Sequence, residues 1–433
     1  MRVLVVGGGG REHALCWALK RDTPDATLFA APGNPGTAQL GTNLQTEVGK
    51  VEEVVEAVKA NHIDLTIVGP EGPLAAGMAD ALRARGHPVF GPSAAAARIE
   101  ASKAFAKDVM RRAGIPTAES RTFTTLPPAL DYIARHAAPL VVKASGLAAG
   151  KGAVVCERRE DATFAARAML EGTAFGDAGR EIVIEDFLEG EELSVLGLTD
   201  GERVLLLPAA QDHKRLGEGD TGPNTGGMGA YSPVSVATAG LLQRVRREVL
   251  EPAIRELAAQ GTPFQGVLYA GLMLGADGAL SVLEFNCRFG DPEAQALLPA
   301  LPGVMHHVAE IAAGAGAWKP AQTTLDATRA AVAVVLAAAG YPDKPQVGGT
   351  IVVPRDVEAG TLMFHAGTER DEHGALRVRG GRVLTVTGLG DTVAEAARKS
   401  ADACELIAFP GKTYRRDIGW REIKEAHAGA ARG

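Results

Sequence analysis

Cysteine is scarce in this sequence, with four among 433 residues. The four lie far apart and form no C-x-x-C pair: Cys16, Cys156, Cys287 and Cys404. A zinc site or a disulfide framework needs closely spaced or more numerous cysteines, so the sequence favours neither. We therefore expect reduced thiols and a cytoplasmic location.

An excess of basic residues is also absent, because 45 lysines and arginines face 52 acidic residues and the formal net charge is -7. A protein that binds nucleic acid over a broad surface needs a basic excess to displace the counterions of the phosphates. We expect no nucleic-acid partner, and any phosphate site must be local.

Long apolar segments are missing too. The longest run, residues 330–340, falls well short of the ~20 residues that cross a bilayer, so it predicts a buried strand. The sequence opens directly into apolar residues 3–6, without the ordered regions of a signal peptide. We expect no membrane partner and no export.

The length predicts about three domains, since a domain spans roughly 150 residues. Apolar runs at residues 3–6, 27–30, 64–68 and 89–90 alternate with helical stretches, which predicts an amino-terminal α/β domain with a doubly wound parallel sheet. Ser93 is typical of the N-cap of a helix that reaches residue 112 and stops at Gly114. We place the first boundary inside this helix, so that the amino-terminal domain spans residues 1–102.

The remainder predicts an α+β domain at residues 103–325 and a small β-rich domain at residues 326–433. In the first, we predict strands at 140–143, 153–155, 182–185, 204–208, 267–274 and 279–285, helices at 162–170 and about 237–260, and a glycine-rich loop at 217–229. In the second, we predict strands at 331–338, 350–353 and 382–386, then a helix at which Thr392 and Glu395 have capping-box spacing. Within the α+β domain, residues 121–190 are predicted to form a mobile lid.

The first predicted strand leads into a glycine turn at residues 7–10 that opens a helix. Such a turn directs backbone N–H groups and the positive end of the helix at an anion, so it predicts a phosphate site. A purely structural tight turn is the alternative. As a dinucleotide fingerprint the turn is defective, because Glu12 stands where the third glycine belongs.

Glu71 and Lys143 each stand at or just past the end of a predicted strand. Glu71 lies at the edge where open α/β sheets bind ligands, so it is either a sugar contact or a solvated loop residue. Lys143 precedes a glycine loop at residues 144–152, which either closes over a triphosphate or forms a hairpin with exposed lysines. The loop is not a Walker A motif, because Gly152 occupies the required Ser or Thr position.

Acidic residues surround two large apolar residues, Phe187 and Leu188, after the strand at residues 182–185. This combination suits an adenine slot with a carboxylate for the ribose, whereas a solvated acidic turn is the usual meaning of a run of charges.

Glu284 and Asn286 end another predicted strand and, because strand side chains alternate, point to the same face. Carboxylate and amide oxygens bind hard cations such as Mg²⁺ together with nucleotide phosphates, so this pair predicts a metal site. Arg288 stands two residues after Asn286, so it would point to the same face if the strand continued and would face the same phosphates.

Lys103, Lys143, the acidic segment and the Glu284-x-Asn286 pair stand in the order and approximate spacing of ATP-grasp enzymes. Within that superfamily the sequence closely resembles the phosphoribosylamine–glycine ligases over essentially its whole length. The resemblance is carried by residues 9–14, 31–34, 68–71, 211–215, 221–231, 284–293, 364–368 and 416–420. The segment at 284–293 is the family's signature.

This resemblance implies an ATP-grasp fold and an ATP-dependent ligation in purine biosynthesis. ATP would phosphorylate the carboxylate of glycine, and the amine of 5-phosphoribosylamine would attack the glycyl phosphate. The implied co-substrate is ATP, and the implied metal is Mg²⁺ or Mn²⁺. The implied nucleotide ligands are Lys103, Lys143, Glu185, Asp186, Phe187, Leu188 and Glu192, the metal ligands Glu284 and Asn286, and the catalytic residues Arg288 and Lys143. The implied substrate residues are Gly9, Gly10, Arg11, Glu71, Asp212, His213, Lys214, Asn224, Gly226 and Asp291.

Two departures from the family pattern stand out. Ser145 replaces an Asp found in many relatives, and the strand at residues 269–274 lacks the third acidic metal ligand common in ATP-grasp enzymes. The alternatives are another ATP-grasp ligase or carboxylase and, in a different class, a nucleotide-binding regulatory or dehydrogenase module. The last would need a complete dinucleotide fingerprint or a degraded metal pair, and the sequence has neither. We expect a monomer or a weak dimer.

Overall fold

The amino-terminal part of the molecule is built around a parallel sheet. The computed structural model describes residues 1–148, 151–314, 316 and 318–430. Its first strands are β1 (Arg2–Gly7), β2 (Thr27–Pro32), β3 (Thr42–Asn43), β4 (Leu65–Val68) and β5 (Val89–Phe90), and its first helices are α1 (Gly10–Asp22), α2 (Val51–Ala60), α3 (Glu71–Ala75) and α4 (Met78–Arg83), with a 3-10 turn at Thr37–Gln39. The strands pair in parallel in the order β3-β2-β1-β4-β5, which confirms the predicted parallel sheet. Strands β1 and β4 are buried, as expected of a parallel sheet covered on both faces.

The helix predicted after Ser93 is two helices in the structure. Ser93 caps α5 (Ala94–Ala101) as expected, and its hydroxyl accepts a backbone N–H three residues on. Ser102 then breaks the helix and caps α6 (Lys103–Ala113) in the same way. The prediction of one continuous helix was wrong because a second N-cap serine holds an extended backbone between the two segments. Gly114 ends α6 in the left-handed conformation, as predicted.

The predicted lid is a separate small layer of one sheet and two helices. Its elements are β6 (Ser120–Phe123), α7 (Leu126–Arg135), β7 (Leu140–Ala144), β8 (Ala153–Cys156), α8 (Arg159–Leu170), a 3-10 turn at Gly176–Gly179 and β9 (Ile182–Asp186). The strands are antiparallel in the order β6-β9-β7-β8 and pack on the helices through an apolar core of their own. In the predicted glycine loop between β7 and β8, residues 149 and 150 lie outside the described residues.

A second antiparallel sheet, here called the central sheet, faces the lid. The elements of this region are β10 (Glu191–Thr199), β11 (Val204–Leu206), β12 (Gln211–Asp212), β13 (Arg215–Gly217), β14 (Thr221–Asn224), β15 (Gly229–Ser232), α9 (Ala239–Val245), a π-helical stretch at Arg246–Leu250, α10 (Glu251–Ala259), β16 (Gly266–Leu274), β17 (Leu280–Asn286), α11 (Glu293–Ala300) and α12 (Val304–Ala312). The order of the central sheet is β11-β10-β16-β17.

Several elements of this region differ from the sequence predictions. Strand β10, which pairs along its whole length with β16, was missed because its first residues were assigned to an acidic turn. The predicted glycine-rich loop overlaps the hairpin of β13 and β14, in which Gly219 and Asp220 adopt the positive φ angles of the connecting turn. Helices α11 and α12 were not predicted.

The carboxy-terminal part is β-rich, as expected. Its elements are β18 (Ala330–Ala337), β19 (Thr361–His365), β20 (Thr368–Arg370), β21 (Leu376–Val378), β22 (Arg382–Gly390), α13 (Val393–Leu406) and α14 (Trp420–Ala430). The apolar run is the buried strand β18, as predicted. The predicted strand at residues 350–353 was wrong, since only isolated bridges form there. Within the described ranges, no helix combines the length and the apolar character needed to cross a bilayer.

The largest carboxy-terminal sheet crosses the predicted domain boundary at residue 325. Its order is β12-β15-β18-β22-β19, so two strands from the central region pair with three from the carboxy-terminal segment. This pairing brings the two regions together at the site described below.

Two buried histidines, His13 and His365, meet between the amino-terminal and carboxy-terminal regions. The backbone N–H of His365 donates to Nδ1 of His13 at 2.9 Å, and burial lowers the pKa of His13 to about 3. Burial also lowers the pKa of His365 to about 4 and that of His213 to about 3. All three are therefore neutral in the folded protein at neutral pH.

We predict that acid destabilises the fold through these histidines. The pKa values of these histidines in the folded protein lie below the ordinary value of about 6.5. Their contribution to the stability of the fold is therefore complete above pH ~6.5 and is lost as the pH falls towards about 4 to 3. Each histidine changes the free energy of unfolding by at most about 1.4 kcal/mol per pH unit. Urea unfolding between pH 7.5 and 4.5 should show a shallower pH dependence for His13→Gln than for the wild type. The exposed control His373→Gln should follow the wild type, and an unchanged slope in His13→Gln would contradict the prediction.

Candidate active site

One cleft of about 400 Å³ gathers most of the residues singled out from the sequence. It lies between the edge of the parallel sheet, the lid, the central sheet and the carboxy-terminal sheet. The predicted residues that line it are Arg11, Glu71, Lys103, Lys143, Glu185, Asp186, Phe187, Leu188, Glu192, Asp212, Lys214, Asn224, Gly226, Glu284, Asn286, Arg288 and Asp291.

At the lid side of the cleft, a buried carboxylate lies between two lysines. Glu185, at the end of β9, has Lys143 of β7 against Oε1 and Lys107 of α6 2.6 Å from Oε2. The side chains of all three are less than 10% exposed. The Lys143 ammonium also donates to the carbonyl of Leu283 at 3.0 Å, which places it beside β17.

An apolar slot adjoins these charges. Phe187 and Leu188 lie just beyond β9, and their side of the cleft is completed by further apolar residues of the lid and the central sheet: Val141, Val155, Val183, Met273 and Leu283. A slot of apolar walls with a few polar groups at its end suits a flat aromatic ring. Glu192 lies nearby on β10 and pairs with Lys214 at 2.8 Å.

The carboxylate of Glu284 is surrounded by lysines. Burial alone would raise its pKa, but Lys214, Lys103 and Lys143 together lower it, so the group is ionised. Burial lowers the pKa of Lys103, against the opposing effect of Glu284. The cleft therefore keeps an ionised carboxylate beside cations that face the same space.

Glu284 and Asn286 both face the cleft, as their alternation on β17 predicts. A bulge in the pairing of β17 with β16 falls at Leu283, before the pair, and so leaves their shared orientation intact. Opposite Glu284 on β16 stands Gly271, which contributes no third acid. Two oxygen-bearing side chains beside a group of lysines match the donors that Mg²⁺ prefers when phosphates and water complete its shell.

Arg288 is fixed by two carboxylates from the amino-terminal region. Its guanidinium donates to Glu71 at 3.1 Å and to Glu100 at 2.8 Å, and a third contact reaches Oδ1 of Asn286 at 3.3 Å. Glu71 thus lies in the cleft as predicted, but as the partner of an arginine. The side chain of Glu100 also accepts the backbone N–H of Cys287 at 2.7 Å.

The opposite end of the cleft contains two buried acids. Tyr269 donates to Glu293 at 2.6 Å. Burial and the nearby Glu293 raise the pKa of Asp212 well above its usual range. Oδ1 of Asp212 has no hydrogen-bond partner among the described residues. A buried acceptor without a donor is costly, so this end of the cleft fits a ligand that carries N–H groups.

The carboxy-terminal region contributes an arginine to the same end. Arg382, at the start of β22, donates to the carbonyl of Asp291 at 2.7 Å and lies 3.2 Å from its carboxylate. Arg382 also contacts the carbonyl of Gly226 at 2.5 Å, which ties the glycine-rich segment to the signature segment.

A buried arginine fixes the hairpin that lies between Lys214 and Asn224. Arg415 is fully buried and donates to Asp220 at 2.8 Å and to the carbonyl of Arg215 at 3.1 Å. Asp417 also pairs with Arg415, and its Oδ1 lies 2.7 Å from Nε of the arginine. The two cleft residues at the base of the hairpin are thereby positioned from the carboxy-terminal segment.

His213 does not line the cleft, contrary to its assignment as a substrate residue. Neighbouring residues on an extended segment point to opposite sides, so Asp212 and Lys214 face the cleft and His213 faces away. Its ring packs 5.9 Å from that of Tyr231 and is buried near Arg415.

Gly9 and Gly10 stand at the start of α1 as predicted but do not line the cleft either. The backbone N–H of Gly9 donates to the carboxylate of Glu12 at 2.7 Å, so a protein carboxylate already occupies part of the expected anion site. A side chain at Gly10 would come within 2.5 Å of the amide nitrogen of Gln295. Close packing explains this glycine, and of the predicted loop residues only Arg11 reaches the cleft.

Sequence reasoning missed several cleft residues: Glu100, Lys107, Tyr269, Glu293 and Arg382. Lys107 could have been predicted, because it stands four residues after Lys103 and so shares the same face of the helix. Arg382 gave no such signal, since its approach depends on the pairing of distant strands.

Comparison with known proteins covers the whole length of the chain. Residues 1–100, 101–294 and 331–421 match the N domain, the ATP-grasp (A) domain and the C domain of phosphoribosylglycinamide synthetase. The chain is 48% identical over 428 residues to the phosphoribosylamine–glycine ligase of Pseudomonas aeruginosa, covering 98% of each protein. It is 46% identical over 431 residues to that of Vibrio cholerae, covering 99% of this chain and all of the relative.

A solved structure agrees with these relatives. The crystal structure of phosphoribosylamine–glycine ligase from Thermotoga maritima superposes with a TM-score of 0.85 at 35% identity, over 96% of this chain and all of that one. The chain therefore belongs to the phosphoribosylamine–glycine ligase family, whose members are also called phosphoribosylglycinamide synthetases.

Proposed function

We propose that the cleft joins glycine to 5-phosphoribosylamine through a glycyl phosphate. The overall reaction is that of the family: ATP drives the ligation and yields glycinamide ribonucleotide, ADP and phosphate in purine biosynthesis. The observation that carries the proposal is that the family matches cover residues 1–294 and 331–421 while the three matched regions meet at one cleft.

In this proposal the nucleotide lies between the lid and the central sheet. Phe187 and Leu188 enclose the adenine, Glu192 holds the ribose, and Lys103 and Lys143 contact the phosphates. The apolar slot and the adjacent lysines support this orientation. Glu185 and Asp186 lie at the same end, where Glu185 holds Lys143 in place.

Glu284 and Asn286 would hold Mg²⁺ or Mn²⁺ against the phosphates of ATP. When bound, the metal offsets the negative charge of the triphosphate. The low pKa of Glu284, which its three lysine neighbours maintain against burial, supports this role, because a metal ligand must be ionised. Arg288 stands beside the pair, where its guanidinium would stabilise the phosphoryl group that moves to glycine.

The end of the cleft that contains Asp212 and Arg382, here called the acceptor end, would bind glycine and 5-phosphoribosylamine. The unpaired oxygen of Asp212 is suited to the ammonium group of glycine, whose positive charge would lower the raised pKa of this carboxyl and favour its ionised form. The sugar phosphate would approach Arg11, with Lys214, Asn224, Gly226 and Asp291 on the surrounding walls. Catalysis then rests on positioning and charge neutralisation, with no covalent intermediate on the protein.

An ADP-release assay tests this function directly. The purified protein should release ADP only when ATP, a divalent metal, glycine and 5-phosphoribosylamine are all present, and product should appear in equal amount. Full turnover with another amino acid in place of glycine would assign the cleft to a different ATP-grasp ligase.

We predict that Glu284→Gln lowers turnover by at least ~10²-fold, the usual effect of losing one electrostatic stabiliser. The change keeps the shape of the side chain and removes its charge, so the fold should be retained. Steady-state ADP release against Mg²⁺ concentration measures the effect. Glu372→Gln, at an exposed position, is the control. Unaltered turnover and metal dependence in Glu284→Gln would place the cation elsewhere.

We predict that Asp212→Asn raises the KM for glycine by about 10-fold or more. A charge-assisted hydrogen bond contributes about 1.5–3 kcal/mol, and the amide cannot pair with an ammonium in the same way. Initial rates at varied glycine concentration give the KM, and calorimetry with an ATP analogue should show unchanged nucleotide affinity. The exposed Asp356→Asn serves as the control. Equal loss of affinity for both ligands would argue against a glycine site.

We also propose that residues 121–190 move as a lid, because they form a layer with a separate apolar core. Lys151, in the loop between β7 and β8, donates to the carbonyl of Pro342 at 2.7 Å. Trypsin cleavage after Lys151 should slow when ATP and Mg²⁺ are added, whereas cleavage after the exposed Lys424 should not. Equal protection at both sites, or none at Lys151, would contradict closure by the nucleotide.

A further inference from the structure

Lys107 holds the same buried carboxylate as Lys143 but from the opposite side. Its ammonium is 2.6 Å from Oε2 of Glu185, while Lys143 contacts Oε1. The side chain of Glu185 is 3% exposed, so its charge is compensated by these two lysines rather than by water. The group carries one negative and two positive charges, and one lysine is therefore sufficient to neutralise the acid.

The two lysines differ in how firmly they are held. Lys107 donates to the hydroxyl of Thr117 at 2.8 Å and to the carbonyl of Ala118 at 3.3 Å. Thr117 in turn donates to the carbonyl of Val282 in the central sheet at 2.7 Å. Among the described residues, Lys143 has one hydrogen bond besides its ion pair, to the carbonyl of Leu283. Lys107 is thus anchored, whereas Lys143 stands on the side that faces the apolar slot and the other cations of the cleft.

We propose that Lys107 is a positioning residue that neutralises Glu185 permanently, so that Lys143 is free to exchange this carboxylate for the phosphates of ATP. The inference rests on the proposed function, in which Lys143 contacts those phosphates. Removing one partner of a buried ion pair is strongly unfavourable when nothing else compensates the remaining charge. Without Lys107, Lys143 would have to stay with Glu185, and nucleotide binding would be weakened although none of the residues assigned to the phosphates had changed.

A double-mutant cycle tests this exchange. The variants are Lys107→Met, Glu185→Gln and the pair of them, with Lys107→Arg as the charge-retaining control. The affinity for Mg²⁺ and a non-hydrolysable ATP analogue is measured by calorimetry, and KM for ATP and kcat by ADP release. Lys107→Met should weaken nucleotide binding by about 10-fold, which corresponds to about 1.4 kcal/mol, and should raise KM more than it lowers kcat. Lys107→Arg should remain within about three-fold of the wild type.

The decisive comparison is made in the Glu185→Gln background. There Lys107→Met should change the affinity by less than about three-fold, because no carboxylate charge remains to capture Lys143. A 10-fold loss in both backgrounds would show that Lys107 acts through packing and would overturn the proposal, as would an unchanged affinity in Lys107→Met alone. If Lys107→Met does not fold, Glu185→Gln is compared with the double variant instead, and any large loss of affinity between these two contradicts charge compensation.

Lys143→Met separates this inference from the proposed function. If it binds the ATP analogue as tightly as the wild type, Lys143 does not contact the phosphates and the nucleotide assignment itself fails, together with the inference. If Lys143→Met binds weakly while Lys107 and Glu185 show no coupling, the nucleotide assignment stands and only the role of Lys107 is overturned.

Discussion

The cleft depends on carboxylates that hold its cations in place. Glu185 lies between Lys107 and Lys143, and Glu100 binds Arg288 from the amino-terminal region. These acids are buried, so each is stable in its position only because a cation stands beside it. Each carboxylate in turn holds its cation in position. Groups suited to a triphosphate are therefore aligned by the protein itself, which is the condition for catalysis by positioning.

The same constraint explains how a protein with a net charge of -7 contains a site for highly anionic ligands. Positive charge is concentrated where three regions meet, and acids of the protein partly balance it there. Arg382 and Asp291 make such a pair between the carboxy-terminal sheet and the signature segment. Arg415 makes another with Asp220, away from the cleft, and so positions a hairpin rather than a ligand. Ion pairs at the cleft and behind it thus link the cleft-lining residues to the rest of the fold.

Much of this arrangement could be predicted from the sequence. Apolar strand segments, the N-cap Ser93 and the alternation that orients Glu284 and Asn286 are local properties, and they correctly indicated the parallel sheet, the start of α5 and the shared face of the β17 pair. The predictions failed where a side chain's surroundings come from distant segments. The glycine turn predicted an anion site, but Glu12 fills part of it. His213 stands in a family motif, yet its neighbours on both sides face the cleft and it does not. Arg382 reaches the cleft only through strand pairing across about 150 residues, between β15 and β22 by way of β18.

The position of Arg382 in the chain also sets the order in which the cleft is completed during synthesis. The lysines, the apolar slot and the β17 pair all precede residue 294, whereas the arginine of the acceptor end follows nearly ninety residues later. Domains of a growing chain fold from the amino terminus as they emerge. The half of the cleft that we propose for the nucleotide is thus translated first, and Arg382, at the end that we propose for the acceptor, is added only when β22 pairs with β18. A chain that ends before β22 consequently lacks Arg382 and the part of the cleft wall that it forms.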